Sequence, residues 1–139
     1  PVVFPVHPRT RDRLETLGLW QPLEASSTIL ATDPLSYHEL LGLTSQAKLI
    51  ITDSGGLQEE ATALEIPCLT LRENTERPIT VDQGTSVLVG QDVDSLLQRV
   101  QDVIENKFKQ GRCPQLWDGS AGRRVGAEVA AFLSARRQG

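Results

Sequence analysis

Leu49-Ile50-Ile51 runs straight into residues 52–61, TDSGGLQEEA, so a short apolar strand passes through two glycines into an acidic helix. A strand apolar on both faces belongs inside a parallel sheet, and parallel neighbours need a crossover that is usually a helix. The rest of the chain repeats that alternation. Residues 2–6 are a β-branched run ending at His7-Pro8, and Pro8 suits the first turn of a helix with Leu14, Leu17 and Leu19 on its apolar face. Further strands are expected at 28–31, 48–52, 68–71 and 86–89, with helices at 35–46 and at 57–65, the latter stopped by Pro67. Asp92 suits the N-cap of a covering helix over 93–108, in which Val93, Leu96, Leu97, Val100, Val103 and Ile104 share one face. Beyond a looser stretch around Gly111 and Pro114, Val125, Val129, Phe132 and Leu133 mark a terminal helix. The expectation is an α/β fold, a parallel sheet with helices on both faces.

Composition narrows the partners. A chain of 139 residues reads as a single domain over residues 1–139. A net charge of −4, with 3 Lys beside 11 Arg, gives no basic stripe to track a nucleic-acid backbone, so no nucleic-acid partner is expected. Cys68 sits in an apolar run and Cys113 in a polar loop, with neither disulfide-framework nor metal-ligand spacing. That usage fits a reducing, cytoplasmic setting and no metal site. No apolar stretch approaches the roughly 18 residues that span a bilayer, so no membrane partner is expected. The chain starts at Pro1-Val2-Val3-Phe4, without Met and already in strand-like sequence, which reads as a piece of something longer. Neither GxGxxG nor GxxxxGK[ST] occurs, against a usual dinucleotide fold and against an NTPase.

The glycine junction has a chemistry of its own. A helix starting near Gly56 leaves its first backbone N–H groups unpaired and carries about half a positive charge at that end. Gly55 and Gly56 let an anion approach the backbone, Ser54 adds a hydroxyl, and Asp53 or Ser54 can cap the helix. Glu59 and Glu60 lie one turn in, where a carboxylate can accept from vicinal ribose hydroxyls. The same residues also make an ordinary capped helix start with a favourable acidic turn. Ligands of open parallel sheets bind beyond the carboxyl ends of the strands, which adds His7, Asp33 and the loop at 72–77 to the candidates. His7 can donate to a phosphate or cap the next helix. Arg72 and Arg77, among Glu73 and Glu76, can clamp a diphosphate or pair among themselves. His38, beside Glu39, reads as a surface residue.

Several of these residues together resemble a known family. The run 52–61, Thr75-Glu76-Arg77-Pro78, Gly84-Thr85 with Leu88-Val89-Gly90 behind it, and Val6-His7-Pro8 look like the carboxy-terminal half of the non-hydrolysing UDP-N-acetylglucosamine 2-epimerases. The resemblance spans nearly the whole chain in order. It implies a Rossmann-like domain, the C-terminal one of a GT-B-type two-domain enzyme, holding UDP while an N-terminal domain lies outside this chain. Carried across, Ser54, Gly55 and Gly56 would bind the diphosphate and Glu60 the ribose, with Arg77 and His7 completing the anionic pocket and His7 towards the reacting sugar. The family often has Phe where Leu40 stands and a polar residue where Leu35 stands, so uracil would here meet aliphatic surface and backbone near Leu35. Many members have Glu after the Arg-Pro pair, where this chain has Ile79. A histidine near His38 serves an allosteric UDP-N-acetylglucosamine site in some members.

The reaction so implied inverts the carbon bearing the acetamido group, interconverting UDP-GlcNAc and UDP-ManNAc by elimination and re-addition of UDP, with no cofactor. The acids and bases acting at C2 belong to the family's first domain, so this chain alone is expected to be inactive. The resemblance also implies a homodimer for the full-length protein. Two other classes use the same cradle: a GT-B glycosyltransferase domain, and a nucleotide-sugar binding module that catalyses nothing.

Overall fold

The computed structural model describes residues 1–136, in two compact units, Pro1–Thr44 and the chain from Ser45 onward. In the first unit, β1 (Val2–Pro5) and β2 (Ile29–Thr32) pair in parallel, Val2 opposite Ile29 and Pro5 opposite Thr32. Between them lie α1 (Pro8–Thr16) and α2 (Trp20–Glu24), and α3 (Tyr37–Thr44) follows. Pro8 takes the first helical position of α1, where the N–H it lacks has no helical partner to lose. The helix stops at Thr16 because Gly18 adopts φ +68, so that Gly18 N bonds Glu15 O and Leu19 N bonds Leu14 O. Leu17 and Leu19 therefore leave the helix and stand 53% and 52% exposed, and the expected apolar face of α1 does not include them. α2 was not expected, because Pro22 obscures it; lying within the first turn of a five-residue helix, that proline breaks no helical bond.

α3 begins at Tyr37, later than the expected 35, because Ser36 and Glu39 close a reciprocal cap. Ser36 N and Oγ donate to Glu39 Oε2 at 2.8 and 2.6 Å, while Glu39 N donates to Ser36 Oγ at 3.4 Å. These bonds favour the ionised carboxylate and hold Glu39 below its ordinary range, the hydroxyl contributing most. A depressed carboxyl stabilises the fold above its unfolded value and loses that contribution as pH falls through its folded value. Glu39→Ala is thus expected to lower the melting temperature at pH 7, with the deficit shrinking below the ordinary carboxylate range. A deficit unchanged on the acid side would show that the charge is not what stabilises this helix start.

In the second unit, β3 (Ile50–Thr52), β4 (Cys68–Thr70) and β5 (Ser86–Leu88) run in parallel in that order, with Ile50, Cys68 and Ser86 in register. The crossovers are α4 (Gly55–Ala63) and α5 (Pro78–Asp82); α6 (Val93–Ile104) and α7 (Ala121–Arg136) follow. The parallel α/β architecture is as expected. Ile50, Ala61, Ile66 and Cys68 form a buried core, with Ala47 and Leu57 packed on it. α4 and α6 end as α1 does, with Glu65 and Asn106 at φ 57 in the left-handed position and Ile66 N and Lys107 N bonding back to Ala61 O and Asp102 O. Asn106 is why α6 stops at Ile104 rather than running to 108. α5 is not among the expected helices: Ile79 and Val81 flank Thr80 in a β-branched run that does not favour helix, whereas Pro78 at the first position and Thr80 Oγ1 donating to Arg77 O (2.7 Å) fix a helical turn. The stripe of α7, Val125, Val129, Phe132 and Leu133, is exposed throughout. Among the described residues no helix is long and apolar enough to cross a membrane.

Candidate functional site

The strongest candidate lies where β3 gives way to α4. Ser54 has extended backbone (φ −82, ψ 125), and its Oγ accepts from Leu57 N at 3.4 Å while its own N donates to Thr52 Oγ1 at 3.0 Å. Ser54, not Asp53, is therefore the cap. Gly55 and Gly56 open the helix, and neither is among the residues with positive φ. A Cβ added to Gly55 would meet only Arg77 Cγ, at 4.0 Å, and one added to Gly56 only Ser54 Oγ, at 3.8 Å. Gly84 is the contrast: its Cβ would stand 2.5 Å from Thr62 Cγ2 and 2.6 Å from Thr80 O. Packing demands glycine at 84, while neither backbone conformation nor packing demands it at 55 or 56. What the two glycines leave is a bare helix terminus, with amide protons open to an anion.

Helical phase then sorts the two glutamates, since residues four apart share a stripe. Gly55 and Glu59 face Arg77, with Glu59 Oε1 at 2.8 Å from Arg77 Nε. That N–H does not point along the line of contact, so Nε is buried with no hydrogen-bond acceptor. Both side chains are half exposed, and such a pair contributes only about 0–1 kcal/mol. Gly56 and Glu60 form the adjacent stripe, where the Glu60 carboxylate makes no hydrogen bond or ion pair with any described residue. The two arginines of the loop also separate. Arg72 is engaged by Glu76 through two bonds of 3.0 and 2.8 Å, which push Arg72 up and Glu76 down in pKa, whereas Arg77 is the guanidinium beside the glycines.

Gln58, which no motif in the sequence marks, is completely buried. Its Nε2 donates to Thr70 Oγ1 at 2.8 Å and its Oε1 accepts from Thr75 Oγ1 at 2.8 Å, while Thr75 Oγ1 in turn accepts from Arg77 N at 3.0 Å. The available signal was spacing: Gln58, Ala61 and Thr62 stand three and four apart on the buried face of α4.

The remaining candidates belong to the first unit. His7 caps α1, its Nδ1 accepting from Arg9 N at 3.3 Å. A neutral imidazole so arranged carries its proton on Nε2, leaving a donor free while the cap is made, so capping and donation do not compete. Leu35, just before α3, and Leu40 within it are half buried. His38 is exposed on α3 with its ring against Tyr37, centroids 5.6 Å apart. No cluster of metal-ligating side chains occurs among the described residues.

Residues 1–130 match the model of a family described as UDP-N-acetylglucosamine 2-epimerase. The chain is 49% identical over 105 residues to the UDP-N-acetylglucosamine 2-epimerase of Methanococcus maripaludis, covering 76% of this chain and 29% of that protein. It is 43% identical over 134 residues to the UDP-2,3-diacetamido-2,3-dideoxy-D-glucuronate 2-epimerase of Pseudomonas aeruginosa, covering 96% of this chain and 35% of that one. The crystal structure of the Methanocaldococcus jannaschii UDP-GlcNAc 2-epimerase in complex with UDP-GlcNAc and UDP aligns with a TM-score of 0.79 and 39% identity, over 93% of this chain and 35% of that one. The chain thus spans about a third of the length of the relatives it matches.

Proposed function

Since this chain belongs to the UDP-N-acetylglucosamine 2-epimerase family, we propose that it is the UDP-holding part of a GT-B-type two-domain enzyme interconverting UDP-GlcNAc and UDP-ManNAc. One observation carries the reading: two glycines that neither backbone conformation nor packing requires open α4 beside Arg77. The diphosphate would sit on the N–H groups of Gly55 and Gly56 and the Ser54 hydroxyl, with Arg77 as a second point of charge. Glu60, one turn below Gly56 and without a partner among the described residues, would accept from the ribose hydroxyls. Leu35 and Leu40 would meet the uracil. His7 would act at the reacting sugar as the catalytic group of this part. His38 is the residue for a second, regulatory nucleotide sugar. The N-terminal domain would supply the acid and base at C2, and the whole enzyme would be a cytoplasmic homodimer.

In the reaction, the C2 proton leaves to a base and the anomeric C–O bond breaks with its electron pair going to UDP, which leaves a glycal. UDP then adds back while C2 is protonated on the opposite face. Negative charge grows on the diphosphate as the bond breaks, so the helix terminus and Arg77 would bind the transition state more tightly than the ground state. The same contacts retain UDP between the two half-reactions.

Calorimetry on the chain tests the ligand: UDP and UDP-GlcNAc should bind without added metal, and UDP more tightly than ADP or phosphate. Glu60→Gln should weaken UDP by about 1.5–3 kcal/mol, the range for a hydrogen bond to a charged group, and 2′-deoxy-UDP by less. Binding of ADP equal to that of UDP would reduce the site to a generic anion cradle, and equal losses for the two ribose forms would confine Glu60 to the helix start.

A further inference from the structure

A primary amide buried completely in the core beside Ala61 is an expensive way to fill a leucine-sized space, since every polar atom of it must find a partner. Gln58 does so. The backbone N–H of Arg77 donates to Thr75 Oγ1, Thr75 Oγ1 donates to Gln58 Oε1, and Gln58 Nε2 donates to Thr70 Oγ1. Only an amide offers an acceptor at one end and a donor at the other. Glutamate would bring a charge and no donor, and methionine would leave both threonine hydroxyls without their partner. At Arg77 the carbonyl is also held, by Thr80 Oγ1 at 2.7 Å, so both sides of that residue's backbone are tied to buried or half-buried groups. The chain of bonds starts on α4, the helix whose first turn presents Gly55 and Gly56, and ends at the residue whose Cγ a methyl group added at Gly55 would meet.

We propose that Gln58 is a positioning residue: through Thr75 it fixes Arg77 relative to the glycine turn, so that helix terminus and guanidinium act as one clamp on the two phosphates of a nucleoside diphosphate. The inference rests on the reading of that turn as a diphosphate site. A clamp with two points needs both for a diphosphate and only the helix terminus for a monophosphate. Loosening Arg77 therefore costs affinity for the former alone.

Calorimetry on the chain with UDP and UMP as probes decides it, using Gln58→Met, Thr75→Val, Thr75→Ser, Arg77→Ala and the double variant Gln58→Met/Arg77→Ala. Gln58→Met and Thr75→Val should each weaken UDP about tenfold, the loss of roughly one hydrogen bond to a charged group, and leave UMP nearly unchanged. Thr75→Ser, which keeps the hydroxyl, should bind as the parent does. The double variant should be no weaker than Arg77→Ala, since groups acting through one another are not additive. Thr75 is half buried in a largely exposed loop, so its variants carry the test if Gln58→Met fails to fold. Additive losses, or equal losses for UDP and UMP, overturn the inference alone. An Arg77→Ala variant that binds UDP as before overturns the placing of the diphosphate at Arg77, and the inference with it.

Discussion

Alanine at Gly55 or Gly56 is expected to leave the chain at least as stable as before and to weaken UDP about tenfold or more. The stability half follows from the geometry: both residues avoid positive φ, and the new methyl groups would meet only Arg77 Cγ at 4.0 Å and Ser54 Oγ at 3.8 Å, which is ordinary contact. Alanine is also favoured over glycine in helices by up to about 1 kcal/mol, less at a first turn than in the interior. The binding half follows from the same methyl groups, which occupy the space through which a phosphate oxygen must reach the N–H groups. Each charge-assisted bond lost there is worth about 1.5–3 kcal/mol. Thermal melting and calorimetry on the same samples separate the two. Gly84→Ala is the control with the opposite pattern, because its Cβ would run into Thr62 and the backbone of Thr80, and it should unfold the chain. If Gly55→Ala and Gly56→Ala bind UDP unchanged, the junction is only a helix start.

What the sequence disclosed was whatever is local. The apolar run at 49–51, the cap and the two glycines sit within a few residues of one another, so the strand, the turn and the anion-binding terminus could all be read from one segment. Helix ends were less legible. Leu17 and Leu19 continue an apolar period, yet Gly18 at φ +68 has already turned the chain, and Asn106 does the same to α6 without the glycine that usually announces it. α2 and α5 were hidden by Pro22 and by three β-branched residues, cases where a short helix is held by capping and packing against its own propensity. The site's internal wiring was least legible, because its partners lie far apart in sequence. Nothing local says that Glu59 rather than Glu60 meets Arg77, or that Gln58 reaches Thr75; both depend on the turn of α4 against the loop that follows β4. That phase engages Glu59 with Arg77 and leaves the Glu60 carboxylate without a partner among the described residues.

Joined to an amino-terminal domain of the family, the chain is expected to gain epimerisation that it lacks alone, and two substitutions should then remove most of it. Arg77→Ala takes away a cation that the proposed reading puts where charge develops on the departing diphosphate, and loss of one such preorganised contact costs about 10²–10³ in kcat. His7→Ala takes away an imidazole whose Nδ1 accepts the capping bond of α1 and whose Nε2 would donate in the proposed reading, and a positioned proton donor is worth about 10²–10⁴. Weaker retention of UDP in the Arg77 variant should also release glycal, since the intermediate can go on to product only while UDP stays bound. Mass spectrometry of the products in deuterated water reads all of this: each turnover by elimination and re-addition places solvent deuterium at C2. His7→Gln, which can still accept from Arg9 N, separates the two roles of His7 by keeping the cap and losing the imidazole. Turnover restored in His7→Gln would assign the histidine to the fold of α1 alone. Transfer of the sugar to an acceptor with no deuterium at C2 would replace the epimerase with a glycosyltransferase built on the same UDP cradle.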